Sequence, residues 1–92
     1  MPVINTNPQW ADFVRRGDGL EVAPVVFGAD FTERTQTRSR ADAWGVYVHL
    51  PEGGVEWIAD YTEERPAYEF AEWLMETHPN LGWHGIMLDV TD

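Results

Sequence analysis

The sequence predicts an α+β domain: a mostly antiparallel four-stranded sheet with two helices, in the order α-β-β-β-α-β. Three observations predict it. The runs WGVYVHL and VEWIADY flank the turn residues PEGG and read as a central β-hairpin. A helical apolar repeat over 63–77 follows directly, and shorter helix and strand signals lie on either side of this unit.

The first element is a short helix. Asn7 is placed to accept first-turn N–H groups, Pro8 suits the first helical position and Gly17 ends it. Trp10, Phe13 and Val14 form its apolar face. Residues 20–31, LEVAPVVFGADF, have strand composition, and Pro24 and Gly28 predict an edge strand or a bulge. Residues 32–42 contain no large apolar side chain and read as a loop carrying Arg34, Arg38 and Arg40. In the hairpin, strict alternation puts Trp44, Val46, Val48 and Leu50 on one face with Val55, Trp57, Ala59 and Tyr61. Tyr47, His49, Glu56, Ile58 and Asp60 then share the other, expected to be the outward one. The second helix is expected from about Glu63 to Thr77, with Thr62 as cap and Pro79 as stop. Ala67, Phe70, Ala71 and Leu74 form its core face. A last strand is expected over 84–90.

With 92 residues the chain is expected to form one domain over 1–92, too small for a deep cleft. Cysteine is absent, which excludes a disulfide framework, a thiolate metal site and a cysteine nucleophile. The N-terminus MPVINTNPQW lacks signal-peptide character and no segment has transmembrane length, so no membrane association is expected. The expected location is cytoplasmic, the host cytosol if the chain is phage-encoded. Five tryptophans exceed what so small a core readily encloses, and some are expected at an interface.

The charge distribution carries the functional expectation. Residues 1–41 hold five acids and five arginines, whereas residues 42–92 hold eleven acids and Arg65 alone, so the whole net charge of −10 belongs to the second half. Such a domain repels nucleic acid and attracts a basic partner. Glu69, Glu72 and Glu76 recur at i, i+3 and i+7 on the second helix, opposite its core face, with Glu63 and Glu64 at its start. Their spacing of about 4.5 and 6 Å along the axis is comparable to that of successive backbone phosphates. No lysine or arginine is expected to interleave with the stripe. Trp73 and Tyr68 stand on its two shoulders, where aromatic area would lower the off-rate of a partner steered by the carboxylates. Glu56 and Asp60 are expected to extend the acidic surface. The competing reading is a solvated helix face, because glutamate is a good helix former.

These residues point to a small, acidic, non-enzymatic inhibitor. It would occlude the basic nucleic-acid-binding surface of a bacterial effector or nuclease as a partial DNA mimic, without binding nucleic acid itself. Such a composition is common among phage and mobile-element antagonists of host defence, anti-CRISPR and antirestriction proteins included, although no motif here carries a family. An immunity protein against a basic nuclease toxin would use the same chemistry. A homodimer through Trp44, Trp57 or Trp83 and an open sheet edge is the alternative of another class. A third class, an enzyme or ligand binder, predicts a hollow lined by His49 or Tyr47 with perturbed acids. No cofactor is expected, and no metal, since His49, His78 and His84 match no ligand spacing. His78 instead suits the C-terminus of the second helix. No catalytic residue is assigned: Ser39, the one serine, has no histidine near it in sequence.

Overall fold

The computed structural model describes residues 3–28, 32–35 and 40–83. Within them the chain is α+β, in the order β1 (Val3–Thr6), α1 (Trp10–Arg16), β2 (Gly19–Phe27), β3 (Thr32–Arg34), β4 (Ala43–His49), β5 (Val55–Tyr61), α2 (Glu64–Thr77) and β6 (Gly82–Trp83). The sheet runs β1-β5-β4-β2-β3, all antiparallel, while β6 pairs parallel with β2. β3 and β6 both lie on the outer edge of β2, at opposite ends: β3 pairs with Val25–Phe27 and β6 with Gly19 and Leu20. The sheet is therefore mixed and five strands wide, rather than four-stranded. The expected strand over 84–90 lies outside the described residues.

Three strands escape a hydrophobic-pattern reading for the same reason. β1, β3 and β6 are short edge segments held by backbone ladders, and neither the TER of β3 nor the GW of β6 shows an alternation to detect. β2 departs from expectation in the other direction, being an inner strand in spite of Pro24. The Pro24 carbonyl accepts the Thr35 N–H at 2.9 Å, so it points to the outer edge of β2. The nitrogen of the same residue points there too, and the missing N–H takes nothing from the ladder with β4.

Both helices cover one face of the sheet. Val14 of α1 and Ala67, Ala71 and Leu74 of α2 pack on Leu20, Val22, Trp44, Val46, Val48 and Ile58. α1 begins at Trp10 rather than Pro8, but Asn7 still organises the entry. Its Oδ1 accepts the Gln9 N–H at 2.9 Å and its amide donates to the Trp57 carbonyl at 2.8 Å. At the other end of α1, the Asn80 amide donates to the carbonyls of Val14 and Gly17 at 3.1 and 2.8 Å, tying the loop after α2 to carbonyls the helix leaves open. The hairpin turn follows its composition, Gly53 and Gly54 adopting φ of +102° and +96°.

One register shift decides what each face presents. Val46 pairs with Ala59 but Tyr47 pairs with Trp57, so Ile58 is an extra residue in β5, a β-bulge. The alternation changes phase there. Ile58 turns into the core with no exposed surface, whereas Trp57 and Asp60 face the side away from the helices with Tyr47. The expected outward trio of Glu56, Ile58 and Asp60 is thereby broken up, because strict alternation does not survive an inserted residue. Glu56 pairs with Val48, so it stands at the margin of the helix-covered face.

Gly17 is where the end of α1 approaches β4 most closely: a Cβ there would lie 2.2 Å from Val48 Cγ1. Gly17→Ala is expected to lower stability by about 1–3 kcal/mol in urea denaturation. Gly82→Ala, where nothing lies within 4 Å, is expected to change it by less than about 0.5 kcal/mol.

Candidate functional site

α2 separates its residues cleanly by side. Ala67, Ala71 and Leu74 are wholly buried, and Glu69, Glu72 and Glu76 are exposed on the opposite side. The burial of the apolar side fixes the helix on the sheet and thereby holds the three carboxylates in one outward row. Glu63 is the exposed N-cap residue and Glu64 lies in the first turn, where negative charge is favoured by the helix dipole.

Aromatic rings stand on both flanks of the row. Trp73 is 49% exposed and stacks on Phe70, with centroids 6.3 Å apart and planes at 18°. Phe70 in turn meets Trp10 edge-on at 6.0 Å and Tyr61 at 5.8 Å, so Trp73 is the outermost ring of a chain that begins in the core. On the other flank Tyr68 meets Trp83 at 5.8 Å, and Trp83 is 46% exposed. Two large exposed rings thus flank the carboxylate row and make a mixed acidic and aromatic surface. Trp83 is a member of this surface that the spacing of α2 gave no means to find, because β6 brings it there.

The row is not free of cations. Arg65, exposed, lines one shallow depression with Glu64, Tyr68, Glu69 and Glu72, which corrects the expectation that nothing interleaves. Arg65 stands four residues before Glu69, one helical turn away, and the part of the row toward Glu76 lies beyond it. The arginines of α1 are engaged with acids of their own: Arg15 and Arg16 pair with Asp12, and Arg16 also approaches Glu52 at 3.9 Å. Arg40 is exposed; Arg38 and the side chain of Arg34 lie outside the described residues.

The face of the sheet away from the helices holds a second feature. Asn5, Tyr47, Trp57 and Asp60 line a hollow, built from two cross-strand pairs, Tyr47 with Trp57 and Asn5 with Asp60. The Trp57 indole N–H donates to Asp60 Oδ1 at 2.9 Å. Asp60 is only 4% exposed; burial pushes its carboxyl above the usual range and the Trp57 hydrogen bond partly opposes that shift. Burial also raises the Tyr61 hydroxyl. Nearby, Glu21 and His49 meet across the strands at 2.7 Å.

Of the residues expected to bind a partner, Glu63, Glu64, Tyr68, Glu69, Glu72, Trp73 and Glu76 belong to α2 and its cap. Asp60 does not continue that surface, because it pairs with Gly45 on the side of the sheet away from the helices and is buried there; Glu56, opposite Val48, stays on the helix-covered side. His78 is the C-cap of α2, with Nδ1 3.2 Å from the Leu74 carbonyl. Among the described residues no group of His, Asp and Glu is assembled to hold a metal ion, and no helix is long and apolar enough to cross a membrane. Compared with protein-family models, curated proteins and solved structures, the chain matches none.

The folded state binds the Asp60 proton more tightly than the unfolded chain does, so the stabilising contribution of Asp60 is present at low pH and is lost as pH rises through its raised pKa. Asp60→Asn is therefore expected to gain stability relative to the wild type between about pH 3 and about pH 6. Parallel urea denaturation across that range checks it; a constant difference between the two proteins would contradict it.

Proposed function

We propose that this protein is a small acidic, non-enzymatic inhibitor that covers the basic nucleic-acid-binding surface of a bacterial effector, as a partial mimic of a phosphate backbone. The observation that carries the reading is the exposed row of Glu69, Glu72 and Glu76 set between the exposed rings of Trp73 and Trp83. The row supplies steering, since a net charge of −10 attracts a basic partner at long range. The rings supply area whose removal from water slows dissociation. Glu63 and Glu64 extend the negative end, and Tyr68 holds Trp83 beside it. Arg65 limits the mimicry to the middle and C-terminal turns of α2. In this reading the protein acts in the cytosol, against host defence if it is carried by a phage or mobile element. An immunity protein facing a basic nuclease toxin would use the same surface.

The test is a tagged pull-down from the native host's lysate at low and high salt, followed by purified binding of whatever basic protein is retained. Glu69→Lys/Glu72→Lys/Glu76→Lys is expected to abolish retention, and raised salt to weaken it. Trp73→Ala is expected to cost about 2 kcal/mol of binding without loss of fold. Retention of the same partner by the triple variant would return the row to a solvated helix face.

A further inference from the structure

Asp60 sits in a hollow on the sheet face away from the helices, its carboxylate unmatched by any cation among the described residues. It is 4% exposed, its Oδ1 accepts the Trp57 indole N–H, and among the described residues no second group donates to it and no cation pairs with it. On the same face Glu21 and His49 meet at 2.7 Å. A buried carboxylate in that position is stabilised by an incoming cation more than by any neutral or anionic group. The walls suit the same class of ligand. Gly45 is the cross-strand partner of Asp60, and the Tyr47 ring lies over it: a Cβ at Gly45 would stand 2.8 Å from Tyr47 Cε1. The absence of a side chain opposite Asp60 thus lets one aromatic ring lean toward the carboxylate, and Trp57 supplies another. Rings around a carboxylate attract ammonium and guanidinium groups through their negative faces. Asn5 adds an amide at the rim. At ≈ 320 Å³ the hollow accommodates a head group rather than a large metabolite.

We propose that the hollow lined by Asn5, Tyr47, Trp57 and Asp60 binds a monovalent organic cation, the ammonium or guanidinium head of a small amine or of a basic side chain. Its position makes it independent of the acidic row, which stands on the other side of the molecule on α2. One flat partner surface does not reach both.

Calorimetric titration of the full chain with n-butylamine and with argininamide and citrullinamide, both carrying an Nα-acetyl group so that the second is an uncharged isostere of the first, tests this, with the Trp57 indole resonance followed by NMR. Both cations are expected to bind and to shift that resonance, and citrullinamide to do neither. Asp60→Asn is expected to weaken binding roughly tenfold, while Glu69→Gln/Glu72→Gln/Glu76→Gln leaves it unchanged. Should Asp60→Asn not fold, Tyr47→Leu takes its place, with a roughly fivefold loss expected. Tighter binding of a Gly-Gly-Arg-Gly-Gly peptide than of argininamide would assign the source to a protein side chain, and weaker binding to a free amine; either supports the site. Equal binding of citrullinamide, an unmoved Trp57 resonance, or full affinity in both single variants would overturn it.

Discussion

Ile58 is one residue too many for the ladder between β4 and β5, and accommodating it sets what each side of the sheet presents. The fully buried Ile58 fills the layer between the sheet and the helices beside Leu74, Val14 and Leu20. Each such side chain contributes about 1.5–3 kcal/mol by leaving water. The same bulge turns Trp57 to the side that Asp60 occupies, away from the helices, and so completes the hollow with Tyr47 and Asn5. Without the extra residue, Trp57 would stand opposite Val48 on the helix-covered side and Ile58 would face away from the helices beside Tyr47.

The packing of the helices governs the second surface. α2 is seated by two alanines and a leucine with no exposed area, which bring its axis close to the sheet and leave its far side fully presented. The chain of rings from Trp10 through Phe70 to Trp73 connects that presented side to the core, so Trp73 stands beside the carboxylates on a fixed base. The three carboxylates and two indoles are thereby held in place on one side of α2. The acids of α2 lie apart from the Asp12 pairs of α1, with Arg65 the one cation of the helix itself.

Much of this was legible in the residues. The 3.6-residue period of α2, the PEGG turn and the strand composition around it located the hairpin, the long helix and its buried face, because each is a local pattern reinforced by tertiary packing. The two shoulders of the acidic row, Tyr68 and Trp73, were also readable from angular position. What was not readable depended on pairing at a distance. β1, β3 and β6 owe their existence to backbone ladders with β5 and β2, and Trp83 reaches the acidic row only through β6. The phase change at Ile58 left no sign in the run VEWIADY, which alternates as well in one phase as in the other. Pro24 pointed to an edge because its missing N–H is harmless there; an outer side of β2 paired, among the described residues, only at its two ends offers the same tolerance inside the sheet.

The most direct measurement is an NMR titration of the five indole N–H resonances with an arginine-rich peptide of about eight residues at low and high salt. The indoles sample the core (Trp44), the first helix (Trp10), the sheet face away from the helices (Trp57) and the two flanks of the acidic row (Trp73 and Trp83). Salt-sensitive shifts of Trp73 and Trp83 would place a basic chain on the row of Glu69, Glu72 and Glu76. Motionless Trp73 and Trp83 signals at saturating peptide would contradict the docking surface on α2.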